Sequence, residues 1–166
     1  MNIDDFNALD AESARADVAV WAAIPSWVEA VVGGRPYRDV DELAAAAASA
    51  ARDWTRADLD AALAHHPRIG ARVTGEHAEA AASRREQASM TDAAADVAVR
   101  IADGNAAYEA RFGRVFLIRA AGRSPEEMLA ELERRLANDD DTEARETRGQ
   151  LAEIALLRLR ATVTQG

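Results

Sequence analysis

The sequence predicts an all-α fold: a single domain, a compact bundle of about eight helices with one short extended segment. Three observations favour it. Alanine is abundant and only 4 residues are proline, a composition that favours helix. Apolar residues recur at helical spacing along most of the chain. One short apolar run at residues 115–118 departs from that spacing, and the pattern leaves open whether it is a buried extended segment or a helix start.

Composition and charge exclude several classes of function. The 166 residues suffice for one domain with its own core but hardly for two. The net charge of −9 argues against nucleic acid and anionic membrane surfaces as partners, because both bind positively charged protein surfaces. The absence of cysteine excludes disulfides, thiolate nucleophiles and thiolate metal ligands. No apolar run is long enough to span a bilayer, and we see no secretory or targeting signal, so we expect a cytoplasmic protein.

Stop and start signals divide the helical pattern in the first half of the chain. After a short helical start, residues 11–21 form one predicted helix, and Ser26 is the expected N-cap of the next, short helix. Two further helices are predicted at residues 40–54 and 56–65. Thr55 caps the second of these, with an acidic residue three positions later as in a capping box.

The second half of the chain predicts longer helices. Residues 77–90 form one, and a stripe at helical period marks the next: Val97, Ile101, Asn105, Tyr108 and Phe112. Gly113 ends that helix. Ser124 followed by Pro125 is a strong helix start, because it combines an N-cap with a proline in the first turn. Residues 142–163 form the last predicted helix.

His66 is the candidate general acid/base. It opens the run His-Pro-Arg-Ile-Gly at residues 66–70, where a helical pattern stops. Pro67 disfavours helical geometry at the preceding residue, and Gly70 permits a sharp turn. Imidazole titrates near neutral pH, which suits proton transfer. The ordinary alternative is a histidine that only satisfies a helix end or a loop hydrogen bond. We favour His66 over His65 because the proline fixes the geometry beside it.

A second polar motif, Ser83-Arg84-Arg85-Glu86-Gln87, lies inside a predicted helix. Ser83, Glu86 and Gln87 share one helix face, whereas Arg84 and Arg85 look exposed. A Glu-Gln pair on a surface helix is ordinarily solvated. Combined with the histidine loop upstream, the carboxylate could position the imidazole or a substrate N–H, and the amide could bind a carbonyl and an N–H together.

Metal binding and nucleophilic catalysis find little support. His65 and His66 are adjacent and His77 is eleven residues on, a spacing that matches no helical or hairpin pair of metal ligands. The chain has no G-x-S-x-G elbow and no phosphate-binding glycine loop. We therefore expect no metal site.

Two polar residues fall on apolar helix stripes. Arg158 shares the inward face of the last helix with Leu151, so it needs either an anionic ligand or an acidic partner such as Glu131 or Glu133, and both alternatives stay open. Asn105 interrupts the stripe of its own helix, and we expect a core hydrogen bond there.

These motifs, in this order and spacing, resemble those of the OHCU decarboxylases over about residues 3–163. Three more motifs add weight: Asn105-x-x-Tyr108-x-x-x-Phe112-Gly113, Phe116-Leu117-Ile118 and Glu153-Ile154-Ala155-x-Leu157-Arg158-Leu159. The resemblance implies an all-helical homodimer that needs no metal or organic cofactor. It also implies decarboxylation of 2-oxo-4-hydroxy-4-carboxy-5-ureidoimidazoline (OHCU) to (S)-allantoin in the oxidative breakdown of urate.

The resemblance further implies roles for individual residues. The catalytic histidine of the family maps onto His66, and its motif glutamate maps onto Glu86. The substrate-pocket positions map onto Pro67, Ser83, Arg84, Arg85, Gln87, Phe116, Leu117, Ile118, Arg119, Ala120 and Arg158. Arg119 departs from relatives in which this segment is often wholly apolar, which puts its side-chain direction in question.

Two other functions stay open. A helical protein–protein interaction module would make His66 and Glu86 dispensable and would expose an apolar face. A related enzyme would use the same pocket on another ureido or hydantoin compound.

Overall fold

Eight α-helices make up most of the residues that the structure, a computed structural model, describes: 1–64, 66–70 and 95–166. In chain order they are α1 (Ile3–Ala8), α2 (Ala11–Trp21), α3 (Pro25–Gly33), α4 (Val40–Ala50), α5 (Arg56–Leu63), α6 (Ala95–Phe112), α7 (Pro125–Arg135) and α8 (Asp140–Thr162). A 3₁₀ turn at Ala51–Asp53 continues α4. These residues contain no strand, only an isolated bridge between Asn2 and Thr164. The predicted all-α fold class is confirmed.

Reciprocal capping boxes fix the starts of α5 and α7. At α7 the Glu127 N–H donates to Ser124 Oγ at 3.2 Å, and the Ser124 N–H donates back to the Glu127 carboxylate at 2.7 Å. Thr55 and Asp58 make the same exchange at α5, at 3.1 and 2.8 Å. Such a cap satisfies backbone N–H groups that have no partner inside the helix, and contributes about 1 kcal/mol. Both predicted caps are thus confirmed.

Two predicted helix starts are displaced by a residue or two. Helix α3 begins with Pro25 rather than after an N-cap at Ser26, because the fixed φ of proline suits the first helical position, where no N–H partner is needed. Helix α8 begins at Asp140, two residues earlier than predicted. There the Asp139 carboxylate accepts from the backbone N–H of Thr142 at 2.7 Å and acts as the cap.

The described residues divide into two structural units, of which the first comprises Met1–Ala62 and Ala152–Gly166. Its core includes Trp27 and Trp54, which meet edge to face with ring centroids 5.7 Å apart. Such a pair adds about 0.5–1.5 kcal/mol beyond the burial of its surface. Trp27 also donates its indole N–H to the carbonyl of Ala47 at 2.9 Å, which fastens α3 to α4.

The second unit comprises Leu63–Leu151, and its described residues include an apolar cluster. The α6 stripe predicted from the sequence is buried at every position. The cluster consists of Ile69, Val97, Ile101, Tyr108, Phe112, Phe116, Ile118, Ala120, Met128, Leu129 and Leu132. Helices α6 and α7 approach closely at Gly104, where an added Cβ would lie 2.6 Å from Leu132 Cδ2.

The apolar run between α6 and α7 is not helical. Gly113 ends α6 with φ +70°, and residues 115–120 then follow without helix or strand. Phe116, Leu117 and Ile118 are nevertheless buried, and Phe116 and Ile118 belong to the apolar cluster of the second unit. Of the two structures that the sequence left open, the helix start is excluded.

Some predictions lie beyond what the structure tests. The predicted helix at residues 77–90 lies outside the described residues, and the single-domain organisation stays a prediction. In the described part of the chain, no helix is both long enough and apolar enough to cross a membrane.

Candidate active site

His66 lies in a non-helical loop, three residues beyond the end of α5. Its backbone N–H donates to the carbonyl of Leu63 at 3.1 Å, which holds the loop against the helix end. The side chain is half-buried, and its Nε2 atom is closed to solvent. Nδ1 lies 3.3 Å from the carbonyl oxygen of Pro67. Because a carbonyl oxygen only accepts, this contact favours a proton on Nδ1 and leaves Nε2 as the basic nitrogen.

Helix α6 anchors the residues that follow His66. Arg68 donates to both carboxylate oxygens of Glu109, at 2.5 and 2.8 Å, and these hydrogen bonds hold the pKa of Glu109 below its ordinary value. One turn earlier, Asn105 Nδ2 donates to the carbonyl of Ile69 at 2.9 Å. This is the core hydrogen bond expected for Asn105. One face of α6 therefore anchors two consecutive loop residues, through side chains four positions apart.

A cavity of about 320 Å³ lies where this loop meets α6. The described residues of its wall include Arg68, Ile69, Ile101, Asn105 and Glu109, but not His66. Asn105 Oδ1 is closed to solvent, and within the described ranges no donor reaches it. The side-chain amide therefore uses only its donor half, toward Ile69.

The segment at residues 116–120 is held by its backbone. The Arg119 N–H donates to Gln150 Oε1 of α8 at 2.8 Å. The Arg119 guanidinium turns back to the carbonyl of Ala121, also at 2.8 Å, and the side chain is half-buried. The Arg119 side chain is therefore directed along its own segment, toward Ala121.

A buried ion pair lies behind the same segment. Arg135, at the end of α7, donates through Nε to Glu143 Oε1 of α8 at 2.9 Å, and the two side chains are 1% and 0% exposed. Arg135 Nη1 donates to the carbonyl of Leu117 at 2.7 Å, and its guanidinium carbon lies 4.7 Å from the centre of the Phe116 ring. One buried cation thus holds both a backbone carbonyl and a ring of the predicted pocket segment.

Further hydrogen bonds complete the environment of Glu143. Asn138 Nδ2 donates to its Oε2 at 2.8 Å, and the Tyr108 hydroxyl donates to its Oε1. Burial, together with the hydrogen bond to Glu143, raises the pKa of Tyr108 to about 12. The phenol therefore stays protonated, and remains a donor, far above neutral pH.

Arg158 belongs to the first unit and is 6% exposed, as its place on the α8 stripe predicts. Its Nη1 donates to the carbonyl of Val20 at 3.2 Å, at the end of α2. The two carboxylates suggested as its partners bind other arginines. Glu131 accepts from Arg134 at 2.9 Å, and Glu133 accepts from Arg100 at 2.6 Å.

The remaining predicted site residues lie outside the described residues: Ser83, Arg84, Arg85, Glu86 and Gln87. The second unit therefore contains the loop with His66 and Pro67 and the segment at 116–120, whereas Arg158 lies in the first unit. The role of each of these residues stays a prediction.

Comparison with known proteins identifies the family. The family model described as OHCU decarboxylase matches residues 7–160, nearly the whole chain. The chain belongs to the OHCU decarboxylase family. It is similar to a 2-oxo-4-hydroxy-4-carboxy-5-ureidoimidazoline decarboxylase of Haloferax volcanii, with 30% identity over 95% of this chain and 89% of that protein. A decarboxylase of the same name from Amia calva is 32% identical over 81% of this chain and 78% of that protein.

Solved structures share the fold of this OHCU decarboxylase family member. A crystal structure of OHCU decarboxylase in the presence of (S)-allantoin matches with a TM-score of 0.75 at 22% identity, over 88% of this chain and 96% of that chain. A crystal structure of (S)-allantoin synthase matches with a TM-score of 0.73 at 15% identity, over 98% of this chain and 54% of that chain. The expected family is confirmed, and with it the class of enzyme, a carboxy-lyase.

The sequence analysis missed the buried pair Arg135–Glu143, although a signal was present. Arg135 falls seven residues after Met128, on the apolar stripe of α7. Glu143 falls eight residues before Leu151, on the stripe of α8 that also carries Arg158. The periodicity that singled out Arg158 marks these two residues as well, and their opposite charges predict a pair.

Proposed function

We propose that the protein catalyses the decarboxylation of OHCU to (S)-allantoin in the oxidative breakdown of urate. The observation that carries this conclusion is the family match over residues 7–160, which includes the His66 loop and the segment at 116–120. The relatives named for this reaction match over most of their own length and most of this chain.

The decarboxylation requires a proton donor and groups that stabilise the developing negative charge. When the bond to the carboxylate breaks, carbon dioxide leaves and its electron pair stays on the ring, delocalised into the neighbouring C=N bond. A proton must then reach the carbon that bears the ureido group, and the face that receives it sets the chirality of allantoin. Hydrogen-bond donors aimed at the developing charge lower the barrier to the first step.

We assign the proton transfer to His66. Its imidazole is half-buried, and the contact between Nδ1 and the Pro67 carbonyl supports Nε2 as the nitrogen that exchanges the proton. In this proposal Glu86 orients the imidazole or the ureido group. General acid/base catalysis of this kind contributes about 10²- to 10⁴-fold in rate.

We assign charge stabilisation to Gln87, Arg158 and backbone N–H groups of the segment at 116–120. The N–H of Arg119 is left out of this set, because Gln150 already accepts its hydrogen bond. The proposed reaction needs no cofactor. A homodimeric state and a cytoplasmic location stay predictions.

The test mixes purified protein with freshly generated OHCU and follows both the amount and the optical activity of allantoin against spontaneous decay. The wild type is expected to accelerate the reaction and to give optically active product. His66→Asn is expected to lower kcat by about 10²- to 10⁴-fold, since no side chain then exchanges the proton. Arg15→Gln is the control, because Arg15 pairs with Glu29 on the exposed surface of the first unit.

Two outcomes would contradict the proposal. Stereospecific turnover by His66→Asn at the wild-type rate would remove His66 from the mechanism. No acceleration by the wild type would reject the decarboxylase function and favour the alternative of an interaction module.

A further inference from the structure

Among the described residues, Asn105 provides one of the hydrogen bonds that hold the backbone around His66. On the N-terminal side, the His66 N–H is bound to the Leu63 carbonyl at 3.1 Å. On the C-terminal side, the Ile69 carbonyl accepts from Asn105 Nδ2 at 2.9 Å. Between the two anchors, the ring of Pro67 fixes one backbone torsion. The position of the imidazole therefore depends on both hydrogen bonds.

The buried amide is the stronger of the two contacts that α6 makes with the loop. Asn105 is 5% exposed, and its bond to Ile69 is shielded from water. The Arg68 side chain of the neighbouring contact is 58% exposed, so water competes with its pairing to Glu109. If the amide were lost, the Ile69 carbonyl would become a buried acceptor without its donor, and the loop would move to satisfy it.

The acceptor atom of the Asn105 amide, Oδ1, supports a specific role for this side chain. Among the described residues, no donor reaches Asn105 Oδ1, although the atom is closed to solvent. A buried polar atom without a partner is unfavourable, so an apolar residue would serve better at this position if packing were its only task. The donor half of the amide therefore serves the loop, through the Ile69 carbonyl, rather than the packing of α6.

We propose that Asn105 is a positioning residue, which holds the Ile69 carbonyl and thereby fixes the His66 imidazole relative to the substrate. This inference rests on the proposed decarboxylase function. It differs from a catalytic role, because Asn105 acts through the loop and not on the reacting atoms.

The test compares two variants, Asn105→Asp and Asn105→Leu, with the wild type in the OHCU assay. Both keep the number and branching of the side-chain heavy atoms. Both remove the donor to Ile69. We expect kcat to fall by about 10- to 100-fold, as for a misplacement of about 1 Å in a catalytic group. We expect KM to change less than kcat, because Pro67 is the one predicted pocket position that lies in the loop. We expect the optical purity of the allantoin to fall, because a displaced imidazole delivers the proton less selectively to one face.

The Asn105→Asp variant provides a second test, because its kcat should recover at low pH. Its new carboxyl group can donate to Ile69 when protonated but repels that carbonyl when ionised. Among the described residues, the charged groups that line the same cavity are Arg68 and Glu109, and they pair with each other. We expect the kcat of Asn105→Asp, divided by that of the wild type, to rise as the pH is lowered. The ratio for Asn105→Leu stays constant.

Ile101→Ala is the matched control. Ile101 lies one turn earlier on α6, is equally buried and makes no hydrogen bond to the loop through its side chain. This variant lowers the unfolding temperature by opening a space in the same core, so it measures what destabilisation alone does to kcat. All variants are assayed well below their unfolding temperatures.

The outcomes separate the two proposals. If the wild type does not turn over OHCU, the proposed function fails. If the wild type is active but Asn105→Leu keeps more than about half of its kcat, if Asn105→Asp shows no rise in relative kcat at low pH, or if Ile101→Ala loses as much, the positioning role is rejected. A fall in kcat confined to the Asn105 variants, with the pH rescue, supports it.

Discussion

The loop that carries His66 and the segment at residues 116–120 belong to the same unit, but they are held in different ways. Among the described contacts of the loop with α6 are a neutral buried hydrogen bond, from Asn105, and the exposed pair Arg68–Glu109. The segment is held by the fully buried pair Arg135–Glu143, which also binds the Leu117 carbonyl. Loss of a loop contact leaves little charge without a partner, whereas loss of half of the buried pair leaves an ion inside the core.

Under the proposed role of His66, the difference predicts that stability and catalysis respond to different substitutions in this unit. The segment contributes to the apolar core, so its supports are supports of the fold itself. The loop is fastened with weaker contacts, and small displacements there change the imidazole more than they change the free energy of unfolding. Substitutions in the two regions are therefore expected to differ in which measurement they affect.

The largest expected effect comes from Arg135→Met. It leaves the buried Glu143 side chain without its cationic partner and removes the donor to Leu117, so the free energy of unfolding should fall by about 3–5 kcal/mol in urea titrations. The matched control is Arg134→Met, since the neighbouring arginine is 48% exposed and pairs at the surface. That variant should lose less than about 1 kcal/mol. Equal losses in the two variants would contradict the comparison.

An intermediate effect is expected from Tyr108→Phe, which removes one hydrogen bond to Glu143 and leaves Arg135 in place. The loss should be about 1–2 kcal/mol near neutral pH. Because the folded-state pKa of Tyr108 is raised from its ordinary 10.0 to about 12, its contribution is full below pH 10 and disappears as the pH rises toward 12. Urea titrations across this range should show the gap between the two proteins closing. A gap that stays constant to pH 12 would argue against the pairing.

The smallest effect is expected from Glu109→Gln, which breaks the exposed pair with Arg68. The free energy of unfolding should fall by less than about 1 kcal/mol, because water and salt screen the pair. The pKa of Glu109 is lowered from 4.5, so its contribution is present above that pH and disappears as the pH falls through the lower folded-state value. A double-mutant cycle with Arg68→Gln isolates the pair. A coupling well above about 1 kcal/mol would show that the loop is held more firmly than its exposure implies.

Much of the fold follows from local signals in the sequence. The stripe on α6, the buried Arg158 on α8 and the helix caps at Thr55 and Ser124 were predicted, because each depends on residues within one or two helical turns. The segment at 116–120 could not be resolved, since a short apolar run fits either a helix or a buried non-helical stretch. Its conformation depends on Arg135, fifteen residues beyond its end.

The site was predicted only in part for the same reason. His66 was singled out by the proline beside it, and its anchoring by Asn105 could not be foreseen, because the sequence gives no pairing between residues 69 and 105. Only a core hydrogen bond of unnamed partner was expected for Asn105. The pairing of Arg135 with Glu143 joins two helices across a turn, and periodicity marks each residue as inward without naming its partner.

The lack of a side chain at Gly104 sets the spacing between α6 and α7. A methyl group there would press on Leu132, which is itself fully enclosed, so the leucine would have to shift or α6 would have to back away from α7. Asn105 is the next residue along α6 and would travel with it. Positions 104 and 132 should therefore change together or not at all during laboratory evolution. A lone enlargement at either one is expected to displace the His66 imidazole through Asn105 and Ile69.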